Sequence, residues 1–334
     1  MIRKIVRCVL LVGVLLVMAA PVLRAQEADP FRIALILWRG ETEVEKGFHD
    51  YFTSQNIPVV FETYNLDRNM DAMPGILETI RRDPPDLVYT WGTGITMAAV
   101  GPHDAVDPAR HITDIPVVFV MVSAPWQTGI AAPQGQTRPN VTGAAHIAPL
   151  SAQINAIRAY RPMDRLGVVF NADEANSVAN IADLTALGQE MEFEVLPAPL
   201  GDGDSPANPE DIAGKVAELA KQGADFLYIG PDNFIGTYRD ILTGAGFDNG
   251  LATFSATELE IRDGQAMFGL VSRYELVGRL AATKAVQILR DNVAPGDIPV
   301  ETLERFSYLI RLSAAKRLEL YPPLPLLDYA EIIE

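Results

Sequence analysis

Three tryptophans, Trp38, Trp91 and Trp126, each follow a short apolar run and carry small or hydrogen-bonding neighbours. Arg39 and Gly40 come after Trp38, Gly92, Thr93 and Gly94 after Trp91, while Ser123 and Thr128 flank Trp126. The chemistry such residues offer is non-covalent. Indoles stack planar groups or attract cations, hydroxyls orient a ligand, and glycine lets backbone approach it. If the apolar runs are strands of an open α/β sheet, their carboxyl ends face the crevice where such sheets bind ligands. The three indoles are then expected to share one rim, although each alone would serve equally to plug a helix–strand corner.

A polar counterpart follows in the second half. Asn171, Glu174, Ala175, Asn176 and Ser177 follow the run 166–170, Asp232 and Asn233 follow 226–229, and Ser255 and Glu258 follow 251–254. A helix starting at such a point presents free N–H groups and a positive dipole end, a seat for a carboxylate, while Asp232 would face an ammonium. Capping by Asp, Asn or Ser accounts for each position singly. Their recurrence at successive strand ends points to a ligand.

Signals for covalent chemistry fail on spacing. Ser313 and Lys316 form an S-x-x-K pair without its partner motifs, and Ser313 reads as a helix cap. Gly92-Thr93-Gly94 begins like a dinucleotide fingerprint, but Met97 stands where the third glycine belongs. His49, His103, His111 and His146 lack ligand spacing, and Gly201-Asp202-Gly203-Asp204 fails the calcium-loop pattern. No catalytic residue, metal or cofactor is expected.

The elements that must position these residues alternate. Short buried-strand runs fall at 33–37, 59–64, 86–90, 116–122, 141–144, 166–170, 193–196, 226–229, 251–254 and 266–271. Amphipathic stretches at 43–53, 73–82, 176–191, 211–222, 233–245 and 275–290 lie between them. This alternation specifies parallel sheets covered by helices on both faces. Polar loops at 131–140 and 199–209 interrupt it, and a lobe boundary is expected near His146.

Residues 1–25 read as a secretory leader. Arg3, Lys4 and Arg7 precede an apolar run at 9–20 that is short for a membrane span, and Leu23-Arg24-Ala25 offers cleavage before Gln26. Cys8, the single cysteine, lies early in that run rather than at its end, so no lipid anchor is expected. The chain carries 27 Lys and Arg against 43 Asp and Glu, a net charge of −16, which repels phosphate backbones and excludes nucleic acid as a partner. About 300 mature residues exceed one comfortable core, so two domains are expected.

Several segments carry a family resemblance. They are 116–122 with Asn140-Val141-Thr142-Gly143, then Leu166 to Asn171 with Glu174 to Ser177, Tyr228 to Asn233, Tyr274 to Arg279, and 318–323. In order and spacing the chain resembles the ABC-transporter substrate-binding proteins of the tryptophan- and tyrosine-type group. The resemblance implies an α/β type I periplasmic-binding-protein fold, two doubly wound parallel-sheet lobes joined by a three-crossover hinge. The first lobe would span 30–145 plus 273–294, and the second 146–272 plus 306–334. It places Trp91, Gly92, Thr93, Ser123, Asn171, Glu174 to Ser177, Asp232, Asn233 and Glu258 in the cleft, with Tyr274 beside them. Trp38, Arg39, Trp126 and Thr128 depart from the group's usual loops and border the pocket. The implied protein is a periplasmic monomer that closes on an aromatic or related amino acid and docks on an ABC permease and ATPase. A receptor for a membrane kinase, or a binder of an organic cation, remains the alternative. An enzyme on this scaffold would need a positioned nucleophile or acid–base pair, and the sequence offers none.

Overall fold

A computed structural model describes residues 29–133, 136–202 and 204–334. The expected leader lies outside the described residues. The first sheet is built from β1 (Phe31–Leu37), β2 (Val59–Asn65), β3 (Leu87–Trp91), β4 (Val117–Val122) and β5 (Val141–Ala145), in the order β2-β1-β3-β4-β5. All its pairings are parallel. Helices α1 (Glu43–Ser54), α2 (Met73–Arg82) and α3 (Thr93–Val100) connect the early strands. β3, β4 and β5 are buried at every position, as continuous apolar strands covered on both faces must be. α1 starts where Thr42 and Glu45 form a reciprocal capping box.

The second sheet follows with α4 (Leu150–Tyr160), β6 (Arg165–Asn171), α5 (Ala175–Met191), β7 (Glu194–Leu200), α6 (Ile212–Lys221) and β8 (Phe226–Ile229). Next come α7 (Asn233–Thr237), α8 (Arg239–Asp248), β9 (Ala252–Ser255), α9 (Leu259–Arg262) and β10 (Phe268–Val271). Its order is β12-β11-β10-β9-β8-β6-β7, with β11 (Ser307–Arg311) and β12 (Glu331–Ile333) joining last. β11 runs antiparallel to β10, so this otherwise parallel sheet carries a reversed pair at one edge. β7 is the opposite edge, which is why it tolerates Pro197 and Pro199, neither of which has an N–H to donate. The single helix expected over 233–245 is broken at Tyr238, whose backbone leaves helical values.

Between β10 and β11 the chain returns to the first sheet as α10 (Tyr274–Leu289), packed on α1, β4 and β5. The approach to α1 is close because glycines meet there. A Cβ on Gly278 would lie 1.8 Å from the Val44 carbonyl oxygen, and one on Gly47 2.1 Å from that of Glu275. Inside this interface Tyr89 donates its hydroxyl to buried Glu45, which also accepts from the Thr42 N–H and hydroxyl at 2.7 Å each. Lys284, also buried, donates to Pro299 O and Glu301 Oε1, both at 2.8 Å. Among the described residues no helix is long and apolar enough to cross a membrane.

Gly278→Ala should therefore cost about 1–3 kcal/mol or more in urea unfolding, because the added methyl must push two helices apart. Gly244→Ala on α8, where nothing lies within 4 Å, should leave stability unchanged or raise it by about 0.5–1 kcal/mol. An unshifted midpoint for Gly278→Ala would contradict the interlock.

Candidate functional site

The carboxyl ends of both sheets converge on one cleft. From the first lobe come Arg39 after β1, Trp91 and Thr93 around the β3–α3 turn, and Met121 and Ser123 at the end of β4. The turn into α3 passes through Gly92 at φ +80°, a left-handed conformation that favours glycine. Met121 has φ +56°, where the β4–β5 register shifts, and this bulge re-aims the end of the strand. His146 follows β5, and Tyr274 opens α10. The second lobe supplies Asn176, Asp232, Asn233, Gly236, Thr257 and Glu260. Together they enclose about 40 Å³, room for one or two waters. Trp91, Thr93, Asn176 and Asn233 also border a chamber of about 530 Å³, whose other walls include Trp38, Met70, Ile95, Met97 and Ala98. The cleft thus has a polar floor beside a largely apolar chamber.

First-lobe polar groups in this cleft are short of partners. The Arg39 guanidinium carbon lies 5.0 Å over the Trp91 ring, and the group makes no hydrogen bond or ion pair with the described residues. The indole N–H groups of Trp38 and Trp91 are buried without an acceptor, although buried indoles ordinarily find one. Burial pushes His146 down to about 3, so its ring stays neutral. It meets the Val122 backbone through one nitrogen and leaves Nδ1 without a partner.

On the second lobe, Asp232, Glu174 and the Asn176 amide are satisfied within their own lobe. Asp232 accepts from the Asn171 N–H (2.7 Å), the Ser177 hydroxyl (2.9 Å) and the Ile235 N–H (2.8 Å). Glu174 accepts from the N–H groups of Asn233 (3.0 Å) and Phe234 (2.9 Å), and Asn176 Nδ2 donates to Pro231 O at 2.7 Å. The α7 N-terminus is therefore closed by the chain's own carboxylates, and Asp232, expected to face an ammonium, is turned instead to donors of its own lobe. Asp232 borders the cavity, but three donors already engage its oxygens. Burial, and then the neighbouring Glu174 charge, push its carboxyl up to about 7.

Of the expected residues, Trp38, Arg39, Trp91, Gly92, Thr93, Ser123, Glu174, Ala175, Asn176, Asp232, Asn233 and Tyr274 line these two spaces. Asn171 and Ser177 stand behind them as supports for Asp232. The single rim of three indoles is not observed. Trp126 is 48% exposed and faces a separate groove with Val141 and Ile298, because the 124–130 turn carries it past the strand end. Thr128 turns its hydroxyl back onto Ala124 O at 2.7 Å, and Ser255 bonds Thr257 O at 2.9 Å inside the lobe. Glu258 sits at the passage into α10, where it accepts from the Tyr274 N–H (2.6 Å) and pairs with Arg273 (2.9 Å) and Arg262. Met121, His146, Gly236, Thr257 and Glu260 were not anticipated in the cleft. For His146 the usable signal was its place just past a buried strand, not metal-ligand spacing.

Two α/β lobes with strand ends converging on a shared cleft define a two-lobe ligand-binding protein of the type I periplasmic-binding fold. The model of the family described as ABC transporter substrate binding protein matches residues 54–332, and the chain belongs to that family. A tyrosine-binding protein from Clostridioides difficile (strain R20291) is 24% identical over 278 residues, covering 83% of this chain and 74% of that protein. The ABC domain from Streptococcus pneumonia in complex with L-Trp superposes with a TM-score of 0.77 at 17% identity, covering 92% of this chain and all (100%) of that one. A conserved domain protein from Vibrio cholerae gives 0.77 at 19% identity over the same shares, 92% and 100%.

The raised Asp232 carboxyl sets a direction for stability against pH. Its contribution is fully present below the ordinary carboxyl value of 3.8 and is lost as pH rises towards about 7, because the unfolded chain releases a proton the native state keeps. Urea unfolding should show the advantage of the parent over Asp232→Ala shrinking between about pH 4 and pH 7. An advantage that grows over that window would contradict the buried assignment.

Proposed function

We propose that this chain is the exported, periplasmic receptor of an ABC importer, and that it captures an aromatic amino acid between its lobes and delivers it to a permease and ATPase. One observation carries the reading: a guanidinium with no acceptor lies on an indole inside a cleft lined from both lobes. Arg39 receives the α-carboxylate in a charge-assisted pair, and the side chain enters the chamber walled by Trp38, Met97 and Ala98. The tyrosine- and L-Trp-binding relatives support this choice of ligand class. An organic cation is less suited, because Arg39 already covers Trp91.

Capture is mechanical and involves no chemical step. The ligand touches Arg39, Trp91 and Thr93 on one lobe and Asn176 and Asn233 on the other, so both sets of contacts exist only when the lobes are together. Binding then shifts the population towards the closed form. The rim contact from Gln127 Nε2 to Asp183 Oδ2, 3.1 Å across the lobes, is made in the same arrangement.

Calorimetric titration with L-tyrosine and L-tryptophan tests the reading. Trp91→Ala and Arg39→Ala should each weaken binding by about 1–3 kcal/mol, and Trp126→Ala should not, since it lies outside the cleft. Failure of both amino acids to bind would overturn the ligand class. N-terminal sequencing of exported protein should find a start at or near Gln26; retention of Met1 would remove the export reading.

A further inference from the structure

Two guanidiniums from opposite lobes meet at Gly236. Arg39 brings Nη1 to 4.0 Å from the point a Cβ would occupy on Gly236, while Arg239, the first residue of α8, donates Nη1 to the Gly236 carbonyl at 2.7 Å. Arg239 Nε is buried without a partner, and neither arginine forms an ion pair with a described residue. One carboxylate is close: Glu260 Oε1 lies 3.2 Å from the same Cβ point, and its other oxygen accepts from the Thr257 hydroxyl. At Gly236 the two cations flank this one carboxylate, while the outer groove they also share carries Glu41, Glu43, Glu258 and Asp263 alongside Lys46, Arg68 and Arg262. The buried Tyr274 hydroxyl lies within the fields of both arginines and of Glu258 and Glu260, which places this group around one side chain. Like charges brought together in a partly dry cleft repel, and the repulsion is felt most when the lobes approach.

We infer that Arg239 is the second-lobe arm of a carboxylate clamp: the ligand's carboxylate bridges Arg39 and Arg239 beside Gly236 and, by neutralising them, holds the lobes together. This rests on the assignment of Arg39 to the carboxylate made above. It adds a second-lobe partner and a reason why an empty cleft resists closure. Glycine at 236 keeps the space between the arms clear, since a methyl there would meet Glu260 and reach Arg39. The clamp selects an anionic end group, so ligands differing only in that group should be told apart.

The test compares L-tryptophan with L-tryptophanamide, and L-tyrosine with L-tyrosinamide, by calorimetry on the full-length mature protein. The parent should prefer each acid to its amide by about tenfold or more. Arg239→Gln should weaken the acids by about 10- to 100-fold, change the amides little, and so collapse the preference. Arg239→Lys keeps a positive charge and should retain part of it. Small-angle scattering of empty protein adds a readout that a purely structural role would not move. Arg239→Gln should be more compact than the parent, because one of the repelling charges is gone. Unfolding midpoints verify that both variants fold. If the parent binds neither amino acid, the ligand reading and the clamp fall together. If it binds them and Arg239→Gln keeps the full acid-over-amide preference, the clamp alone is overturned.

Discussion

Helix α10 is held against α1 by two glycines, and the geometry of the cleft depends on that contact. Because Gly47 and Gly278 admit the opposing backbone, α10 lies close enough to the first sheet for Lys284 to be buried between them. Lys284 then fixes Pro299 and Glu301, and the Glu301 carbonyl accepts the Ala145 N–H at 2.9 Å where the chain leaves β5. At its other end α10 begins with Tyr274, whose N–H is bound by Glu258 of the second sheet. Arg273, next to it, pairs with both Glu258 and Glu331, and Arg262 joins the same two carboxylates. One helix therefore anchors all three passages between the sheets while contributing a wall of the cavity. A loosened α10 would alter lobe spacing and pocket together, which is why its packing permits so little slack.

The two sides of the cleft differ in how their polar groups are satisfied. On the second lobe, Asp232 and Glu174 gather backbone N–H groups and the Ser177 hydroxyl, which locks β6, α5 and α7 into one rigid wall. Two neighbouring carboxylates are tolerated there because α7 directs its free N–H groups at them. On the first lobe Arg39, the Trp91 indole N–H and His146 Nδ1 lack partners. A buried polar group without a partner costs about 1–3 kcal/mol, so a stable fold keeps few of them. The Trp38, Trp91 and His146 nitrogens lie with Arg39 at the carboxyl end of the first sheet, where something outside the chain could complete the bonding.

Much of the fold was legible because buried parallel strands have to be continuous apolar runs. The runs at 33–37, 116–122 and 226–229 each coincide with a strand to within two residues. α3 escaped because it is short and apolar around most of its circumference, so it shows no helical periodicity. β11 and β12 escaped because a reversed edge pair breaks the strand–helix rhythm that identified the others. In the site, residues at or just past a strand end, such as Arg39, Trp91 and Asp232, line the cleft in the structure. The rule failed for Trp126, four residues past β4, where a turn had already carried the chain away. Glu260 and Arg239 were invisible for a different reason. They approach Gly236 from within α9 and from the start of α8, and only the tertiary arrangement brings them together there.

The sign of the missing partners narrows what can occupy the floor. Arg39 and the two indoles offer N–H donors, with Arg239 beyond Gly236, whereas Asp232 and Glu174 are already engaged. Glu260 carries an oxygen that no described donor reaches, and His146 Nδ1 adds a single neutral acceptor. A ligand suited to this floor brings more negative charge than positive to the Gly236 side, and a smaller donor towards Glu260 or His146. A zwitterionic head carries both kinds of group. A simple cation would carry only the second and would stand against two guanidiniums. The apolar chamber beside the floor, with indole, methionine and alanine walls, then accepts whatever side chain the head group carries. The cleft thus offers two kinds of surface: charge beside Gly236, and shape and stacking at Trp38 and Met97.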